Sequence, residues 1–165
     1  MKKIMVIVAM TIACIGSITA QTTDKRLLGV WVMESMEFEG EDKIICGKES
    51  GYTQLKYYGP DGEYVCAQIV RHGNDQYVIL PHEYGTYTYK DGAYTEMGRE
   101  PIPNAITWVN DTTTKGRWGK RHDVWKKQTK MPQKMVEYIV NYCKMIKQGP
   151  TPEMQKLIKE HMFSN

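Results

Sequence analysis

Gly85-Thr-Tyr-Thr-Tyr-Lys-Asp-Gly-Ala-Tyr-Thr-Glu96 is the stretch on which the fold turns. Two runs of β-branched and aromatic residues flank Asp91-Gly92. An Asp-Gly pair adopts the positive φ angles of a two-residue hairpin turn, and both flanks favour strand. Pairing Lys90 with Ala93 sets Tyr89 opposite Tyr94 and Tyr87 opposite Glu96. Alternation then puts Tyr87, Tyr89, Tyr94 and Glu96 on one face of the hairpin. Thr86, Thr88, Thr95 and Met97 take the other. The pattern does not decide which face looks inward.

Further strand signals lie on both sides of this hairpin. Leu27–Phe38 is apolar on both faces at first and then alternates. Strands over 51–58 and 63–70 are joined by Gly59-Pro-Asp-Gly62, with Pro where φ near −65° is wanted and Gly where φ is positive. Gln76–Leu80 is a short strand ended by Pro81. Ile106–Asn110, Thr113–Trp118 and Arg121–Gln128 close the series. Short strands joined by hairpin turns predict a mainly β chain, an antiparallel up-and-down β-barrel of about eight strands.

After Gln128 the period changes. Met135, Val136, Ile139, Val140, Cys143 and Ile146 recur at helical spacing, which predicts an amphipathic helix over 132–148, stopped by Gly149-Pro150. Thr151-Pro-Glu supplies an N-cap, a first-turn proline and a first-turn acid for a second helix reaching about His161. Its apolar side carries Met154, Leu157, Ile158 and Met162.

Met1-Lys-Lys, an uncharged run from Ile4 to Ile15, and small residues up to Ala20 read as a secretory signal peptide. The organisation expected is therefore a signal peptide over 1–20, a barrel over 21–128 and a helical extension over 129–165 packed on it. The product would be periplasmic or extracellular. Thr11-Ile-Ala-Cys14 also resembles a lipobox, and lipidation at Cys14 is the one route by which a membrane would be a partner. Cleavage after Ala20 removes Lys2 and Lys3 and leaves 20 basic against 19 acidic residues, so a dedicated nucleic-acid binder is not expected.

Cys46, Cys66 and Cys143 survive cleavage. In an oxidising compartment one disulfide can form, and Cys46–Cys66 is the favoured pair because both lie among the strands. His72, His82, His122 and His161 form no zinc-type pattern, and no nucleophile elbow, P-loop or dinucleotide fingerprint occurs. No metal, cofactor or catalytic residue is assigned, and the chain is read as a non-enzyme. Eight cations against Asp123 alone fall between Lys115 and Lys134. Such a stretch could meet anionic glycans or headgroups, although a solvated strand face is the commoner meaning.

Taken together, Leu27-Leu-Gly-Val-Trp31, the Tyr-rich strands, the Gly85–Glu96 hairpin and Asp123-Val-Trp-Lys-Lys127 resemble a family of exported bacterial lipocalin-like proteins of unknown function. The resemblance covers about Leu27 to Gln128. It implies a calycin-type barrel that holds a small hydrophobic or amphipathic ligand. It also implies that Trp31, in the Gly-x-Trp position, packs at the barrel floor against a basic residue of the last strand, for which Arg121 is the candidate.

Tyr87, Tyr89, Tyr94 and Glu96 are the candidate ligand-binding residues. Tyrosines offer ring faces plus a hydroxyl, and one carboxylate among them can orient a polar group. The competing interpretation is an exposed cross-strand ladder that only stiffens the hairpin. The expected function is small-ligand carriage or sensing. Its rival is a module that docks an envelope protein partner through the helices or the basic stretch, with the barrel as scaffold.

Overall fold

The computed structural model describes residues 24–73, 75–145 and 149–164. The signal peptide expected over 1–20, Cys14 and Ile146 lie outside the described residues. The architecture is an antiparallel sheet curled into a half-barrel, with two helices at the C-terminal end of the chain.

The strands are β1 (Gly29–Phe38), β2 (Ile44–Ile45), β3 (Tyr52–Tyr58), β4 (Glu63–His72) and β5 (Gln76–Lys90), followed by β6 (Ala93–Glu96), β7 (Ile102–Pro103), β8 (Ile106–Asn110), β9 (Thr113–Trp118) and β10 (Arg121–Lys127). Their spatial order is β7-β6-β5-β4-β3-β1-β10-β9-β8, with β2 paired to β1 off this path. The first long strand thus sits between β3 and the last strand. The two ends of the path, β7 and β8, are consecutive in the chain and separated only by Asn104 and Ala105. Asn104 N–H donates to Gly92 O at 3.0 Å and Arg117 N–H donates to Ala105 O at 2.9 Å, so the junction is tied to both edges.

The Gly85–Glu96 hairpin has the register read from the sequence. Lys90 faces Ala93, Tyr89 faces Tyr94 and Tyr87 faces Glu96. Asp91 and Gly92 have φ of 52° and 78°, the left-handed pair that a tight hairpin of this twist requires.

One expectation is overturned at Pro81. The strand does not end there: β5 runs for 15 residues through it. The register on β4 slips at this point, since Cys66 faces Glu83 while Ala67 faces Pro81, and His82 is the extra residue of a β-bulge. A proline is tolerated where a bulge already interrupts the ladder. Because side chains alternate with period two, one extra residue reverses the faces. Tyr77 and Ile79 before the bulge point to the helices, whereas Tyr87 and Tyr89 after it point to the other side.

The sheet therefore carries two cores. On its outer face Val30, Val32, Leu55, Val65 and Ile69 pack against α1 (Gln133–Lys144) and α2 (Pro152–Met162). Met135, Val136, Ile139, Val140 and Cys143 of α1 are buried there, as are Met154, Ile158 and Met162 of α2. Thr151 caps α2 by accepting from Met154 N–H at 3.3 Å. On the inner face Trp31, Met33, Tyr58, Tyr64, Cys66 and the hairpin tyrosines form an aromatic-rich core. No helix among the described residues is long and apolar enough to cross a membrane.

The three cysteines are free thiols, so the expected Cys46–Cys66 bridge is not made in this structure. Cys46 precedes Gly47, which bridges to Tyr52 on β3, while Cys66 sits on β4. Strand β3 runs between them, with Gln54 linking the Tyr52 hydroxyl on one side to the Cys66 thiol on the other.

Candidate functional site

The inward-facing residues of β3 are Tyr52, Gln54, Lys56 and Tyr58, alternate positions of one strand. Opposite Lys56 on β4 lies Cys66, and opposite Cys66 on β5 lies Glu83. This row of polar groups forms one side of an open cleft of about 400 Å³ on the inner face of the sheet. Trp118 and Arg121, the facing pair that ends the β9–β10 hairpin, form the other side.

Lys56 occupies the floor and is 5% exposed. Its Nζ lies 4.5 Å from the ring centroid of Trp118, 4.8 Å from that of Trp125 and 5.7 Å from that of Tyr64. Among the described residues it has no carboxylate within ion-pair distance and no hydrogen-bond acceptor. Burial draws its pKa down, but Tyr58, Cys66, Glu96 and Asp123 around it more than offset that. The amine is held above its ordinary value and is an ammonium at neutral pH. Aromatic faces supply part of the stabilisation that water would otherwise give.

Glu83, Glu96, Arg99 and Arg121 of the cleft are paired, whereas Glu100, also in its lining, is exposed and makes no ion pair among the described residues. Arg99 reaches Glu83 at 2.9 Å and Glu96 at 3.5 Å. Tyr64 donates to Glu83 at 3.2 Å, and Tyr94 donates to Glu96 at 2.9 Å. Burial works to raise the Glu83 pKa, but the hydrogen bond and charge of Arg99 prevail and hold it below the ordinary carboxylate value. Arg121 pairs with the buried carboxylate of Asp123 at 3.2 Å. Trp118 Nε1, Trp125 Nε1, Arg121 Nε and Asp123 Oδ1 are buried with no hydrogen-bond partner among the described residues. Burial pushes the Cys66 thiol up to about 11, so it stays protonated and weakly nucleophilic at neutral pH.

Of the candidate residues Tyr87, Tyr89, Tyr94 and Glu96, only Glu96 lines this cleft. The three tyrosines face inward and are buried, so an exposed ladder is not what they form. They pack as the wall behind the cleft. Tyr87 donates to Gly59 O at 3.1 Å, and Tyr94 lies edge-on to Trp118 at 5.4 Å and contacts the Tyr58 hydroxyl at 3.3 Å. The Trp31–Arg121 pairing is not formed. Trp31 is buried, and its Nε1 donates to Leu27 O at 2.7 Å. Its cationic neighbour is Lys127, at 5.7 Å. The register explains this: β1 and β10 are antiparallel, so Trp31 faces Lys127 while Arg121 faces Phe38 at the opposite end of β1.

Lys56, Glu83, Arg99 and Trp118 were not among the candidates. For Lys56 a signal existed: it is the one charged residue in the alternating Tyr52, Gln54, Lys56, Tyr58 series. The basic stretch does not form one continuous free surface, because Lys126 pairs with Glu34, Arg121 with Asp123 and Lys134 with Glu153. No cluster of three or more His, Cys, Asp or Glu suited to a metal occurs among the described residues. No protein-family model and no curated protein matches the chain.

Proposed function

We propose that the protein is an exported, lipocalin-like carrier or sensor that binds a small ligand in the cleft and performs no chemistry on it. One observation carries this reading: a cleft of about 400 Å³ with the unpaired ammonium of Lys56 on its floor, between Trp118 and Trp125. Small-molecule sites are concave, largely aromatic and apolar, and carry a few convergent polar groups. A buried cation is costly to keep unless something pairs with it, so its position favours a binding role over a packing role. Docking of an envelope protein through the helices draws less support, because Met135, Ile139 and Val140 are covered by the sheet. Export rests on the sequence of residues 1–20, and placement in the periplasm or outside the cell follows from it.

Native mass spectrometry of the protein purified from its own host tests this. The expected result is one added small-molecule mass per chain, lost on denaturation. A chain that is always empty, or that always travels with another protein, would overturn the reading.

A further inference from the structure

We propose that the cleft selects a small organic monoanion and holds its acidic head at Lys56. This deepens the ligand-binding reading above and rests on it.

The inventory of donors and acceptors points to the sign. Glu83 and Glu96 are both engaged by Arg99, and each also accepts from a tyrosine. Lys56 has three N–H donors and no acceptor among the described residues. Arg121 Nε and Trp118 Nε1, on two residues that line the same cleft, are buried donors without partners among the described residues as well. Among the described residues Glu100 is an exposed carboxylate of the lining, while the one buried acceptor without a partner is Asp123 Oδ1. It lies against Gly116 beside Trp118 Nε1, and its sister oxygen already accepts from Arg121. That carboxylate belongs to the wall, so among the buried groups the donors are in excess. A group that supplies only acceptors and one negative charge completes this set: a carboxylate, a sulfonate or a singly charged phosphate ester.

The surroundings limit the rest of the ligand. Phe38 and Ile102 line the cleft and are partly exposed, so they offer apolar contact to the ligand body. Glu83, Glu96 and Glu100 line it too, and they disfavour a second negative charge.

The test uses two fluorogenic probes with the same ring skeleton, 8-anilinonaphthalene-1-sulfonate and the neutral N-phenyl-1-naphthylamine. Each is titrated into the chain starting at residue 21 and into its Lys56→Met variant. Wild type is expected to bind the sulfonate at least roughly tenfold more tightly than the neutral twin, the scale of one charge-assisted contact. Lys56→Met should erase that preference. Equal or tighter binding of the neutral probe by wild type would overturn the anion while leaving the ligand-binding reading in place. So would an unchanged preference in a folded Lys56→Met protein, checked by near-ultraviolet circular dichroism. Binding of neither probe would remove both readings. If Lys56→Met fails to fold, the wild-type preference alone decides, because the two probes differ only in the sulfonate.

Discussion

A Cβ on Gly116 would lie 2.0 Å from Asp123 Oδ1. The two residues face each other across β9 and β10, and the bare backbone of one makes room for the buried carboxylate of the other. Trp118 Nε1 lies 2.6 Å from the same point, so an added methyl group meets two groups at once. Gly116→Ala is expected to destabilise the protein by about 1–3 kcal/mol, the usual cost of overpacking. Urea denaturation beside wild type measures it. An unchanged midpoint would show that the Asp123 side chain moves aside without cost.

The hairpin tyrosines give a second test. Tyr94 is fully buried and Tyr87 nearly so. Tyr94→Ala should cost about 3–5 kcal/mol, as for other large aromatic truncations in a core. Tyr94→Phe should cost less, about 1–3 kcal/mol, because it removes only the donor to Glu96 and the contact with Tyr58. Losses below about 1 kcal/mol for Tyr94→Ala would return these residues to the scale of an exposed cross-strand pair.

Arg121 and Lys127 should differ in kind. Removing Arg121 takes away the ion-pair partner of a carboxylate buried at 3% exposure, so Arg121→Ala is expected to cost about 3 kcal/mol. Lys127→Ala removes a cation near Trp31 and a 2.7 Å hydrogen bond to Arg26 O at a partly solvated site, a loss of about 1 kcal/mol. Thermal denaturation of both variants ranks them. The reverse order would mean that the Trp31–Lys127 contact matters more to the fold than the buried pair.

Glu83 makes stability depend on acid. Its pKa in the folded chain lies below the ordinary value of 4.5, so the folded state binds its proton less readily than the unfolded state. The stabilisation from its contact with Arg99 is fully present above pH 4.5 and is lost as pH falls through the lower, folded value. Urea midpoints taken from about pH 6 to about pH 3 should therefore fall more steeply for wild type than for Glu83→Gln. Parallel curves would show that the Arg99 contact contributes nothing.

What could be read in advance was whatever one strand or one turn dictates. Asp91-Gly92 with its flanks determined the hairpin and its register, and the helical spacing of Met135, Val136, Ile139, Val140 and Cys143 determined the buried face of α1. Thr151 was legible as a cap for the same reason. The strand through Pro81 was not, because a proline next to a bulge looks locally like an end. The partner of Trp31 depends on how β1 lies against β10, a pairing 96 residues apart in sequence that no local pattern encodes. Lys56 was missed because an inward lysine on a strand gains meaning only once Trp118 and Trp125, from the far side of the sheet, stand over it. The hairpin tyrosines were correctly sorted onto one face, but whether that face lines a cleft or backs it is set by the neighbouring strands.

The extra residue His82 makes β5 two half-strands of opposite handing joined without a break. Residues Tyr77 and Ile79 answer to the helices, and residues Glu83, Tyr87 and Tyr89 answer to the cleft and its backing wall. The two halves are therefore independently editable: side chains facing the cleft can change in one while the helix seat is kept through the other. Chain length at this point is the exception. Deleting His82 would keep every residue type yet turn the cleft half inside out, so the position tolerates changes of side chain far better than a change of count.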